Sequence, residues 1–486
     1  FEIFFIFSLI LFFFILNLFR IKHGLPFFVD EDEGGFLKSS LAFLSYFTDI
    51  KPNFLDPIVA PLFNVFLTCS IIFFNELLIN NLSILEIKNK IYLNPEIFIL
   101  YGRISSLFIT SLSIGIFYLI LKELKINTLI ILLMLVNFSL SLVTTSVAIV
   151  NGKNSYYLFF YILQIYLLIK YYLNLDKFNL KTYFLFGLLS ACAWGVNYWS
   201  ALVALYAVLI LHIKKYNLKK INYFVVFLVI FFLFGPLLNA LISSGPILEL
   251  IYGRDQTIQF DLTDYLSSFT DDILRSAKIL FINEKNILIL ILLSFAFIFS
   301  KKYDYKYIFI IISFLLVEPI LLFALSLDVS PQLRYFSGLI CVILILTSIV
   351  VNQIYIINKS KIIVSLFFIL NFFFIYNQII LNKKVNHVVS NNSFYKFYEE
   401  NENNNYHTLY FLGNNDFMHR KNADNLIFYK ELHNKRIILN PTYEDEYSKK
   451  NYIRDDLNQI NKKINKLREI KDNLIEEKKL KDNFEV

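Results

Sequence analysis

Four carboxylates stand side by side in this chain, as Phe27-Phe28-Val29-Asp30-Glu31-Asp32-Glu33-Gly34-Gly35-Phe36. Crowded this closely, they repel one another unless a cation, a metal or a substrate offsets the charge. One of them could act as a general base, accepting the proton of a hydroxyl as that oxygen attacks. Together they could hold a divalent cation, although the sequence shows no complete ligand set and no metal site is assigned. The bland alternative is a solvated acidic loop, but acidic residues do little to set membrane topology. Two Asp-Glu registers are open, Asp30-Glu31 and Asp32-Glu33. Positive charge of the kind that grips phosphate sits at Arg103, Lys153, Arg254 and Arg334, each close to an end of an apolar stretch. Arginine suits phosphate because its planar fork donates two parallel hydrogen bonds. The competing reading for each is a side chain snorkelling to water from a helix end.

The elements that must position these groups are membrane helices. The 486 residues are 57% hydrophobic with 53 Phe and 31 Tyr, and the mean hydropathy of +0.56 exceeds that of soluble domains. The 13 Gly and 10 Pro are few for a transporter built on broken helices. Apolar runs predict a first helix over Ile3–Phe19, which lacks an A-x-A cleavage site and so reads as a retained span. Further spans are expected near Ile104–Leu121, Thr128–Val147, Tyr156–Tyr172, Tyr183–Trp199, Ala201–Ile213 and Tyr223–Ile242. Ile287–Ser300, Ile308–Leu327, Phe336–Val351 and Ile362–Leu381 continue the series. The pair flanking Trp199 reads equally as one bent helix or as two. Because the chain begins at Phe1 rather than Met, a longer N-terminus is expected.

Lysines fall in alternate loops: Lys122 and Lys125, Lys177 and Lys181, Lys214 to Lys220, Lys301 to Lys306, then Lys359 and Lys361. The positive-inside rule puts those loops in the cytoplasm. The acidic loop at 20–101 and the later one with Asp255, Asp261, Asp264, Asp271 and Asp272 then face outward, to a periplasm or a lumen. Ile58–Leu78 breaks this alternation if it crosses, so it is expected to lie at the interface or re-enter. Its Asn64, Asn75 and Glu76 agree, since lipid-exposed polar groups are costly. Beyond Asn382 hydrophobicity collapses. Thr408–Leu412 and Arg436–Leu439 read as strands around a helix at Ala423–Leu432, with a charged helix or fraying tail after Glu444. The expected architecture is thus an all-α polytopic membrane protein of about eleven transmembrane helices, residues 1–381. A small extramembrane α/β segment, residues 382–486, completes it.

The order of motifs resembles the GT-C glycosyltransferases, in particular the protein O-mannosyltransferase and aminoarabinose-transferase kind. An Asp-Glu pair follows the first span, then the amphipathic run Phe36 to Phe47, then Asp56-Pro57 and Ala60-Pro61-Leu62-Phe63. Tyr101-Gly102-Arg103-Ile104 opens the next span, which ends in Lys122-Glu123-Leu124. Phe186-Gly187-Leu188-Leu189-Ser190-Ala191-Cys192-Ala193-Trp194 is similar to the family's small-residue helix, with Asn197-Tyr198 where Lys-Tyr is common. Pro331-Gln332-Leu333-Arg334-Tyr335-Phe336 matches the Arg-Tyr that opens a late span.

The resemblance covers Phe1 to Leu381 and implies inverting transfer of a sugar from a polyprenyl-phosphate donor to a glycolipid, polysaccharide or protein acceptor. It places that chemistry on the periplasmic face of a bacterial inner membrane, in cell-envelope glycan biosynthesis. It implies Asp32 as base, with Asp30 the rival and Glu33 orienting acceptor or cation. Arg334, Arg103, Lys153, Arg254, Asn197 and Tyr335 are then the substrate-binding candidates. No nucleic acid is expected, because the lysines sit in short loops. A lipid-linked oligosaccharide polymerase or ligase would lean on outer-loop Arg and His instead. A flippase or transporter would want ionisable groups within spans, where Glu318-Pro319 is the chief candidate. The six histidines show no metal spacing, and Cys69, Cys192 and Cys341 lie singly in apolar stretches.

Overall fold

The structure, a computed structural model, describes residues 2–21, 36, 59–84, 86–87, 96–197, 200–217, 219–242, 306–317, 337–358, 408–410 and 436–438. It also describes scattered positions within 369–380. The first compact unit comprises 1–23, 36–80 and 99–388. Its helices are α1 (Glu2–Leu18), α2 (Val59–Ile72, running on through a π-helical turn, Phe73–Ile79) and α3, which enters the unit at Ile99 and spans Glu96–Glu123 in all. Next come α4 (Thr128–Leu140), α5 (Leu142–Ala148), α6 (Lys153–Leu173), α7 (Leu180–Trp194) and α8 (Ala201–Tyr216). Then α9 (Ile221–Phe232) leads through a π-helical turn at Pro236 into Leu238–Ile242, followed by α10 (Lys306–Phe314) and α11 (Ser337–Asn358).

Among the described residues four helices are long and apolar enough to cross a membrane: Val59–Ile79, Ile97–Glu123, Lys153–Leu173 and Ser337–Ile354. There are five if α4 and α5, bent by 57°, form one span. Several long apolar helices of this kind suit a membrane protein. The bend has a local cause: the Ser141 side chain caps α5 by accepting from the Val143 N–H at 3.2 Å. Inside the bundle hydroxyls return to their own helices, as Thr110 does to Ser106 O (2.8 Å) and Thr347 to Ile343 O (2.8 Å). No water reaches such positions to satisfy them. The expected spans at Ile287–Ser300 and, for the most part, Ile362–Leu381 lie outside the described residues. Around Trp199 there are two helices, separated by the break from Gly195 to Ser200.

Helix α7 owes its packing to small residues at every fourth position, Gly187, Ala191 and Gly195, the spacing that lets membrane helices approach closely. A Cβ on Gly187 would lie 2.9 Å from Ile230 Cβ and 3.0 Å from the Phe227 carbonyl oxygen of α9. Gly235, beyond α9, is 3.4 Å from Ala191 by the same measure. Of these four helices α11 is the most enclosed, with 89% of its apolar window buried, and α2 the least, at 28%.

The second unit comprises 24–35, 81–98 and 389–486. In it the Ser83 hydroxyl and backbone N–H both donate to Glu86 at 2.7 Å, holding that exposed carboxyl below the usual carboxylate range. Two short strands, β1 (Thr408–Tyr410) and β2 (Arg436–Ile438), pair in parallel with Thr408 opposite Arg436. The helix expected between them lies outside the described residues.

Candidate functional site

Contacts between helix ends sort the first unit into two ends. Gly102, in the first turns of α3, packs on the Asn151 side chain just before α6. Gly338, opening α11, packs on Tyr157 and Tyr161 in the first turns of α6. The C-terminus of α1 joins the same end, because the Arg103 guanidinium donates to the Ile21 carbonyl at 2.8 Å. At the other end Lys122 donates to the Tyr118 hydroxyl (2.9 Å), which donates to Glu2 of α1 (3.0 Å). There too the Asn127 N–H donates to Asn352 of α11 (2.9 Å). The lysines of the α3–α4, α6–α7 and α8–α9 loops therefore gather at one end, and the Tyr101-Gly102-Arg103 segment lies at the other.

Helix α2 takes all its described partners from this second, polar end. Its first two N–H groups, Val59 and Ala60, donate to the Gly195 carbonyl past α7 at 2.9 and 3.2 Å. A Cβ on Gly195 would collide with Val59, so only glycine admits this junction. Midway, Tyr156 donates to Asn64 (3.2 Å), Phe63 packs edge-on against Phe160, and Thr68 shares a 3.1 Å hydrogen bond with Ser105. In its last turn the Glu76 carboxylate, only 2% exposed, accepts from the Tyr101 hydroxyl at 2.6 Å and from Asn80 at 2.9 Å. Asn75 reaches both Tyr101 (2.6 Å) and Glu76 (3.3 Å). The partners lie just past α7 and in the first three turns of α6 and α3, and α2 is itself one of the four helices long and apolar enough to cross a membrane.

A buried carboxylate with this many donors is a clamp rather than a base. Hydrogen bonds to an ionised acceptor are about twice as strong as neutral ones, and these tie the last turn of α2 to the first turn of α3. Two residues on, Arg103 is fully buried and grips the exit of α1. That enclosure excludes the snorkelling reading for Arg103. After α1, Arg20 reaches back to Asn17 (3.4 Å), and burial lowers its pKa. Phe36, three positions beyond Glu33 in the sequence, is buried with its ring 6.2 Å from that of Tyr156.

Of the residues singled out from sequence, Arg103, Lys153 and Asn197 belong to this end. Lys153 opens α6, and Asn197 follows α7 with its N–H on the Ala193 carbonyl at 2.9 Å. Asp30, Asp32, Glu33, Arg254, Arg334, Tyr335 and Glu318 lie outside the described residues. Among the described residues no three His, Cys, Asp or Glu side chains gather as a metal site would require. Reading the sequence singled out Glu76 but missed its partners Tyr101 and Asn80, which only the fold brings together. It also missed Gln164, fully enclosed in α6 with neither amide atom hydrogen-bonded; a polar residue within an apolar span was the available signal. His212 shares a hydrogen bond with the Tyr183 hydroxyl at 2.5 Å. No family model, curated protein or solved structure matches the chain.

Proposed function

We propose that the chain is a multi-pass membrane glycosyltransferase, moving a sugar from a polyprenyl-phosphate donor to an acceptor at the polar end of its bundle. That end faces the extracytoplasmic side, as the lysine loops opposite it require. The observation that carries the reading is the Arg103 anchor: a fully buried guanidinium fixes the exit of α1, just upstream of the four carboxylates. Asp32 acts as base, with Asp30 the rival register, and Glu33 orients the acceptor or a divalent cation. A lipid phosphate is already a good leaving group, so no general acid is needed. One carboxylate accepting the acceptor's proton supplies roughly 10²–10⁴-fold in rate.

Arg334, with Lys153, Arg254, Asn197 and Tyr335, binds the donor's phosphate and sugar, while Arg103 fixes the chain at Ile21. About eleven spans form residues 1–381. The parallel pairing of β1 with β2 supports an α/β segment beyond them, because parallel strands need a crossover and a helix is its usual form. The test is a transfer assay with purified protein in proteoliposomes, using a panel of polyprenyl-phosphate sugars. Release of polyprenyl phosphate that depends on an added acceptor is the expected result. A protein that stays folded but turns over no donor, while moving lipid-linked sugars across the bilayer, would identify a flippase instead.

A further inference from the structure

The lysine end carries a second surface that sugar transfer does not use. Lys215, in the last turn of α8, is tied to the α6–α7 loop there, donating to the carbonyls of Leu175 (2.7 Å), Asp176 (3.3 Å) and Phe178 (2.6 Å). The Asn179–Thr182 capping box fixes the start of α7 beside it. The α8–α9 turn is held by two non-glycine residues in the left-handed region, Asn217 at φ 47° and Lys220 at φ 57°. A lysine in that region is uncommon. The conformation brings the Lys220 ammonium 5.0 Å from the Tyr216 ring centre and 5.4 Å from that of Tyr223. Lys214 sits over Tyr172 at 3.1 Å.

Lys177, Lys181, Lys214, Lys219 and Lys220 are all exposed, against a single exposed acid in these loops, Asp176. Next to them the helices show apolar side chains outward: Leu180 and Phe184 on α7, Ile213 on α8, and Ile221 and Val225 on α9. Cations on a fixed frame, interfacial tyrosines and an exposed apolar flank match the parts of a phospholipid, a phosphate head above acyl chains. The geometry points to an anionic phospholipid bound between the α6–α7 and α8–α9 loops, its phosphate held by Lys214, Lys219 and Lys220. A soluble phosphate would leave the apolar flank without a role.

The experiment is native mass spectrometry of the full chain released from nanodiscs containing equal phosphatidylglycerol and phosphatidylcholine. Wild type is expected to retain phosphatidylglycerol preferentially. The triple variant Lys214→Gln, Lys219→Gln, Lys220→Gln should lose at least about tenfold of that retention, given roughly 1 kcal/mol per lysine near an anionic surface. The corresponding triple Arg variant should keep it. A control, Lys478→Gln, Lys479→Gln, Lys481→Gln, removes equal charge elsewhere and should behave as wild type. Equal retention of the two lipids by wild type would overturn the proposal, whatever the variants do. So would an equal loss in the control, or displacement of the lipid by millimolar inorganic phosphate.

Discussion

The two ends of the bundle treat charge in opposite ways. At the polar end the described charges are enclosed: Arg103 is fully buried on a carbonyl, and Glu76 is held by Tyr101, Asn75 and Asn80. At the lysine end most described cations stand exposed, while Lys215 is drawn in onto backbone carbonyls. Enclosing a charge carries a desolvation cost that only well-made hydrogen bonds offset, so such groups fix geometry. Exposed charges do little for stability and act instead on lipid and topology. One end encloses its charges on fixed partners, and the other presents most of them to solvent.

The sharpest way to break this contrast is sidedness. In a full-length chain with Cys69, Cys192 and Cys341 changed to Ser, Asn391→Cys should react with an impermeant maleimide in intact cells. Lys181→Cys should react only after permeabilisation. The reverse pattern, with Lys181→Cys labelled in intact cells and Asn391→Cys only after permeabilisation, would mean that α2 crosses the bilayer after all.

Packing gives the next largest effect. Gly187→Val puts its Cβ against Ile230 and the Phe227 carbonyl, and overpacking of this kind costs about 1–3 kcal/mol. The expected readout is a lowered thermal midpoint in detergent, and an unchanged midpoint would show that α7 and α9 do not meet so closely. Glu76→Gln cannot accept from all its donors, and a buried donor left unsatisfied costs about 1–3 kcal/mol. Tyr101→Phe should also lower the midpoint, since Glu76 loses one donor, although Asn80 and Asn75 remain to it. If Glu76→Gln melts like wild type, the clamp does not hold α2 in place.

Much of this organisation was legible in the residues. Among the described residues apolar runs marked where α1, α4, α6, α8 and α9 begin to within a few residues, because a membrane imposes both length and composition. The alternating lysines anticipated an end where they gather, whereas Ile58–Leu78, expected at the interface, forms a helix long and apolar enough to cross a membrane. What escaped was tertiary pairing. No local pattern says that Glu76 meets Tyr101 across 25 positions, or that Gly195 must lack a side chain because Val59 arrives there. The small residues of α7 carried the family likeness in sequence, yet their visible work is helix packing against α9. The break at Ser141 was also hidden, since its neighbours read as one continuous apolar span.

A smaller effect is expected at the donor phosphate. Arg334→Lys keeps the charge and loses the fork, so apparent donor affinity should fall by a few fold, and Arg334→Ala should lower it further, by roughly tenfold or more. Unchanged affinity in both variants would make Arg334 a membrane anchor.

The account turns most directly on Asp32. Wild type, Asp32→Asn and Asp30→Asn, each reconstituted with a polyprenyl-phosphate sugar and acceptor, should differ only in the rate of transfer. Losing the base should slow Asp32→Asn by roughly 10²–10⁴-fold, with folding and donor binding intact and Asp30→Asn close to wild type. Near-normal rates in both variants would contradict the glycosyltransferase reading itself, and a loss confined to Asp30→Asn would move the base to the other register.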